Sequence, residues 1–357
     1  MAERSTEGLA CRVLAQERAA VSATLSEALE AFKAPDGGSP RAADLAWIAG
    51  RRWAVRERLT AVLDSAAFDV QEILRSAHEH VQAIETLLGA DEMLPIPAMT
   101  LVRSIHESVL TICWLTDPLL APAERLTRVA ALRLTQSQGS HRTIGNFPEN
   151  LQGDSERVRR AMDDTQRYLN KAGFVLGFGK AGGPYALSVS HGDVATSLKM
   201  NATAASRRYT PGIHYIWTTG SGATHSRLWF TSGLEGPWAQ LVVMIASPLL
   251  DMSDALIDNA LGYVSLDPTE CHRRTHLRRQ ALLGRARHLG DTTHGYADYA
   301  TQRDAAPAVR ERGRGQAAGG RETAVERTRA RQSDSGGDSA GGKAVRVADL
   351  RQPEGRQ

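Results

Sequence analysis

Aromatic residues make up only 5% of the 357-residue sequence, and β-branched residues almost never alternate with polar ones. Both scarcities weigh against a sheet-built core, because strands draw on those side chains in a period of two. Cysteine is scarce as well. Cys11, Cys113 and Cys271 are odd in number and form no Cys-x-x-Cys pair, which excludes a zinc ribbon or disulfide framework and fits a reducing compartment. Lysine is nearly missing, 5 residues against 38 arginines, a bias expected of a GC-rich bacterial genome. No apolar run reaches the roughly 20 residues of a membrane span. The longest, near "WAQLVVMIASPLLDM", is interrupted by Pro248 and closed by Asp251. The opening "MAERSTEGLACRVLAQER" has no apolar segment of the kind a secretory signal needs. The expectation is a soluble, cytoplasmic protein without a membrane partner.

A charge of one sign is also lacking once the charge is located. The stretch from Asp304 onward holds 11 Lys+Arg against 8 Asp+Glu, which accounts for the whole formal net charge of +3 and leaves 32 of each sign in the body. A body-wide electrostatic footprint for nucleic acid is therefore absent.

What the sequence has in abundance is helical periodicity. Residues 1–34 read as an amphipathic helix, followed by a Pro- and Gly-rich linker over 35–43, marked by the breaker "APDGGSPRA". From Asp44 the apolar residues Leu59, Leu63, Ala66, Val70, Ile73, Ala77, Val81, Ile84 and Leu88 recur at three- and four-residue spacing, as in one long helix ending near Gly89. Further helices are expected from Pro97 to Asp117, Ala121 to Gly139 and Ser155 to Lys171. The stretch "GFVLGFGKAGGPYALSVSHGD" reads as an irregular loop or lid, after which helices resume near Asp193, over Arg207 to Thr219, Ser221 to Phe230, Pro237 to Tyr263 and Thr269 to His288. The sum is a mainly α protein: one helical-bundle domain over 44–290, an N-terminal helical extension, and a tail over 304–357 too poor in large apolar residues to fold.

Several constellations could carry chemistry. Arg103 and Glu107, four apart, share one face of an apolar helix and could pair there or around a ligand. In "YIWTTGSGATHSRLW", Gly220 could end one helix and Ser221 cap the next, placing His225 in a first turn whose dipole keeps imidazole neutral and fit to act as a base. Close helix packing explains the small residues equally well. "GFGKAGG" fails as a phosphate loop, since Phe174 replaces the first glycine and Ala181 follows Lys180 where Ser or Thr is needed. His272 and His276 lie one turn apart but no second ligand cluster accompanies them, so neither a metal nor a cofactor is implied. The helix "CHRRTHLRRQALLGRARH" presents Arg273, Arg274, Arg278 and Arg279, which with the tail could meet RNA or an acidic partner.

"LVRSIHESVLTICWLTDPLLAPAERLTRV" and "YTPGIHYIWTTGSGATHSRLW" resemble two segments of bacterial all-helical families of unknown function, themselves similar to HEPN-like and abortive-infection bundles. The resemblance implies that Arg103, Glu107, Ser221 and His225 gather in one pocket, although "TTGSGATH" departs from the usual Leu-Ser before the histidine. Some HEPN relatives cleave RNA, often as homodimers, and others regulate. The family's Arg-x4–6-His signature has formal counterparts at Arg75 and His80, at Arg207 or Arg208 with His214, and at Arg287 and His294, no more than chance supplies. The leading expectation is a binding or regulatory bundle in stress or phage defence. The alternatives are a metal-independent ribonuclease using His225, or His214 with Arg208, and a helical adaptor without chemistry.

Overall fold

A computed structural model describes residues 2–90, 94–151, 153–179, 183–227 and 238–288. Among them are ten α-helices and one small sheet. The helices are α1 (Ala2–Lys33), α2 (Pro40–Ala49), α3 (Trp53–Leu88), α4 (Pro95–Thr116), α5 (Pro122–Gly145), α6 (Ser155–Lys171), α7 (Ala202–Tyr209), α8 (Tyr215–Thr224), α9 (Trp238–Val264) and α10 (Thr269–His288). The Arg287 side chain, His294 and the tail from Asp304 lie outside the described residues.

The main core runs between α1, α3, α4 and α9, and α1 belongs to it fully. Ala10, Val13, Leu14, Val21 and Leu25 recur at helical spacing and are buried against Val109, Ile112 and Leu250 in one cluster. The first helix is thus a wall of the bundle and not an extension of it. A second cluster joins α2, the first half of α3, α5, α6 and the sheet through Leu59, Leu63, Leu126, Leu134 and Phe174. A third, smaller one gathers Ala28 of α1 with Ile257, Leu261, Tyr263 and Val264 of α9.

Four sequence expectations are corrected. The long helix from Asp44 is two helices: α2 begins at Pro40, with Ser39 capping it by accepting from Ala42 N, and ends at Gly50 before α3 starts at Trp53. The expected loop after Gly173 is a meander of β1 (Val175–Phe178), β2 (Ala186–His191) and β3 (Val194–Ser197), antiparallel in that order. Gly192, at φ 59°, makes the two-residue turn between β2 and β3, and Gly177 marks a register shift where a Cβ would collide with the Ser188 hydroxyl. The helix expected over 207–219 breaks at Thr210–His214, where Pro211 cannot continue α7. Finally, α8 passes straight through Gly220, Ser221 and Gly222.

The apolar run beyond Trp238 is longer than its sequence suggests. Pro248 stays inside α9, and the stretch Gln240–Val264 is long and apolar enough to cross a membrane by length and composition, yet most of it is buried within the bundle. Its acidic residues Asp251, Asp254 and Asp258 meet α10, where Arg279 binds Asp251 and Asp254 at 2.9 and 2.6 Å.

Candidate functional site

The α4–α8 junction holds the residues that the sequence singled out, and it keeps them apart. Gly220 lies against Arg103 so closely that a Cβ there would stand 2.5 Å from the Arg103 Cβ. The glycine is what lets α8 lie on α4, at a propensity cost of about 1 kcal/mol. The Arg103 guanidinium stacks 4.7 Å from the Trp217 ring centre, its Nε buried without a partner, and no ion pair joins it to Glu107. Glu107 instead faces an open space of about 630 Å³ together with Trp114, Lys199 and Trp217. Because Trp217 neighbours Glu107 while Gly220 meets Arg103, α8 runs antiparallel to α4. Five residues beyond Gly220 in one direction and four beyond Arg103 in the other put His225 and Glu107 about 13 Å apart along the axes. His225 is exposed and closes the C-terminal end of α8, its N–H bonded to the Ser221 carbonyl at 3.1 Å. The dipole argument for a neutral base therefore loses its premise, because the end is the wrong one.

Arg208 and His214 are not brought into a reactive pair either. Arg208 binds the Asp117 carboxylate, and the exposed His214 ring sits 2.8 Å from the Pro211 carbonyl through Nδ1. Asp117 also accepts from the Tyr209 hydroxyl at 3.0 Å, and Arg128 donates to that hydroxyl and to the Trp114 carbonyl. Burial and the Asp117 charge push the Tyr209 phenol up to about 12. The "WLTDP" and "ERLTR" motifs thus build a structural network. Its deepest member is Arg125, 1% exposed, which binds Asp44 at 2.7 Å and donates to the carbonyls of Leu115, Asp117 and Leu120. That guanidinium closes the C-terminal end of α4, where four carbonyls lack helical partners.

Two of the four arginines singled out on the basic helix α10 are turned inward. Arg278 binds the buried Glu17 of α1 at 2.6 Å, and Arg279 is buried on α9. Only Arg273 and Arg274 of the four stay at the surface, both bonded to Glu270. His272 sits between Asp254 and Asp258, at 3.0 and 2.7 Å on its opposite ring nitrogens. Two carboxylates on opposite edges of one ring cannot share a metal ion with it, so the trio is an ion-pair clamp. The hydrogen bonds to Asp254 and Asp258 hold the imidazole up at about 10, protonated at neutral pH.

A second space, more apolar in its walls, lies elsewhere, between α1 and α3. Arg18 forks onto Glu85 at 3.2 and 3.3 Å, and Ser22 meets His78 at 3.3 Å, which ties the helices at one end. At the other end Arg41 donates to the Phe32 carbonyl at 3.2 Å and to Asp64 at 2.6 Å, its guanidinium over the Phe32 ring. Between these ties the helices part around a space of about 420 Å³, walled by Leu25, Leu29, Leu63, Val70 and Leu74 and floored by Val264 and Leu115. It lies where the three hydrophobic clusters meet, and Leu25, Leu63 and Val264 each belong to a different one. From Arg18 to Phe32 the wall is about 21 Å long, at 1.5 Å per helical residue. The space opens to solvent along one side, with Arg75, Glu79 and Gln82 at its rim. Its inner walls are mostly apolar, so an apolar guest fits it.

Polar groups stand at the two ends of this space and differ in kind. At the inner end all are engaged: Arg125 as above, Tyr263 donating to Asp44 at 2.7 Å, and Thr116 donating to the Ile112 carbonyl at 2.9 Å. Burial drives the Asp44 carboxyl up against the pull of Arg125 and Tyr263, and burial with the Asp44 charge beside it drives the Tyr263 phenol up. At the outer end His78 is pushed below its ordinary value by burial and by the Arg18 charge, which leaves the ring neutral at pH 7. Compared with protein-family models, with curated proteins and with solved structures, the chain matches none of them.

Proposed function

We propose that this chain is a small-molecule-binding helical bundle with a regulatory role, its ligand lying between α1 and α3. The observation that carries the reading is the apolar space of about 420 Å³, held open by polar ties at its two ends. Sites between the helices of a bundle commonly take ligands of this size range and draw most of their affinity from apolar burial. The HEPN-like, cytoplasmic expectation joins the proposal here: in stress or phage defence, a ligand that favours one packing of α1 on α3 would shift the population toward it. An RNA-cleaving role has less behind it, since His225 and Glu107 face different ends of the α4–α8 contact and Arg208 is engaged by Asp117. Contact with RNA or an acidic partner would fall to Arg273 and Arg274.

The test titrates the full-length protein with N-phenyl-1-naphthylamine, an apolar dye that brightens out of water, beside an Ala67→Phe variant whose added ring would occupy the gap. Saturable one-to-one binding by the wild type is expected, lost in Ala67→Phe while its Tm is kept or raised. Dye bound equally by both proteins, or by neither, overturns the proposal.

A further inference from the structure

The walls of the α1–α3 gap have a polarity gradient that restricts what could lie in it. At its inner end the polar side chains that line the space, Arg125, Tyr263 and Thr116, already donate to partners within the bundle. Along the middle, leucine, valine and alanine side chains form the inner wall, with Ser26 and Gln71 exposed at its rim. Nearer the Arg18–Glu85 tie, polar groups with unused capacity line the space: His78 beyond its Nδ1 contact with Ser22, and the Gln82 amide. All of these are neutral. The two cations that also line this end are held by carboxylates, Arg18 by a two-pronged contact with Glu85 and Arg75 by Glu72 and Glu79.

Resting on the binding site proposed above, we infer that its ligand is a neutral amphiphile: an alkyl chain lying along the gap toward Phe32, with an uncharged hydrogen-bonding head such as a hydroxyl or amide at His78 and Gln82. A carboxylate head would have to strip water from its charge and compete with Glu85 for Arg18, without a free cation in return. A cationic head would find its nearest carboxylates already paired. A hydroxyl or amide head loses little on leaving water and both donates and accepts, as imidazole and amide partners require. A bare hydrocarbon would fill the gap and leave those partners without a ligand bond.

The experiment compares ligands of one chain length by displacement of the bound dye from the full-length protein at pH 7.5, below their micellar concentrations: dodecanol and lauroyl ethanolamide against dodecanoate and dodecyltrimethylammonium. The two neutral ligands are expected to bind at least about tenfold more tightly than either charged one. In a His78→Leu, Gln82→Ala variant that margin, read as the ratio of neutral to charged ligand affinities and so independent of any change in dye affinity from loss of the Ser22 contact, should shrink severalfold. Equal affinity for all four, or dodecanoate or the ammonium binding tightest, overturns the neutral head and leaves the gap as the binding site. No displacement by any of them, with the dye itself failing to bind, overturns the gap as a site and the inference with it. Unchanged margins in the double variant overturn the placement of the head at His78.

Discussion

Helices α3 and α10 both lie along α1, and they are fastened to it in opposite ways. On the α10 side the polar contacts fall within two turns of α1: Glu17 takes Thr275 at 2.9 Å and Arg278 at 2.6 Å, and Thr24 meets Cys271 at 3.3 Å. On the α3 side the ties sit at Cys11, Arg18 and Ser22 and then, ten residues on, at Phe32 through Arg41, and the residues between Ser22 and Phe32 face the open space. Closely spaced contacts hold two helices at packing distance, whereas ties separated by about three turns let the stretch between them bow. One helix therefore serves as a closed wall on one side and as the lip of a gap on the other.

The largest test of this contrast removes one leucine from each setting. Leu282→Ala in α10, at a fully buried position in the cluster that α1 shares, should cost about 3–5 kcal/mol, because the surrounding core leaves a new cavity. Leu74→Ala enlarges a space that already exists and should cost about 1 kcal/mol. Urea unfolding of both variants measures the difference. Equal losses would mean that the gap is closed in solution and that the two sides of α1 are alike.

A second, smaller test compares the polar ties. Glu17→Ala leaves Arg278 and Thr275 without their partner at a buried position and should cost about 2–3 kcal/mol. Arg18→Ala breaks a pair that water reaches and should cost under about 1 kcal/mol in stability. Its effect should appear instead in dye binding, since one end of the gap loses its tie.

How much of this was legible in the sequence depended on whether local rules or distant contacts decided. The helices Ser155–Lys171 and Thr269–His288 stand where the sequence pattern places them. The sheet had a readable signal, since Gly192 and Asp193 separate two runs of strand-forming residues by a two-residue turn, yet strands of four to six residues leave too short a pattern to outweigh the glycines around them. Gly220 and Ser221 satisfy every local rule for a helix boundary and are nevertheless helical, because close contact with Arg103, 117 residues earlier in the sequence, decides their place. The α1–α3 gap gave no sign at all. Leu25, Leu29 and Leu74 look like any core face, and a void is a property of how two helices cross.

The finest test uses proton uptake to probe the closed side alone. His272 carries a raised folded value of about 10 against an ordinary 6.5, held by Asp254 and Asp258, with Asp267 nearby and Arg279 sharing Asp254. A raised value means that its contribution is fully present below pH 6.5 and is lost as pH climbs through about 10. Stability should therefore decline across that window in the wild type, and the decline should be shallower in His272→Gln, with other alkaline titrations cancelling between the two proteins. His106 acts at the other end of the scale: buried, with Nε2 2.8 Å from the Thr210 hydroxyl, it is pushed down to about 4, so its contribution is lost as pH falls from 6.5 toward 4. Urea midpoints taken from pH 4.5 to 10 separate the two histidines. If His272→Gln leaves the alkaline slope unchanged, the clamp does not hold α10 in solution. If it flattens the slope and leaves dye binding untouched, the closed and open sides of the bundle are energetically independent.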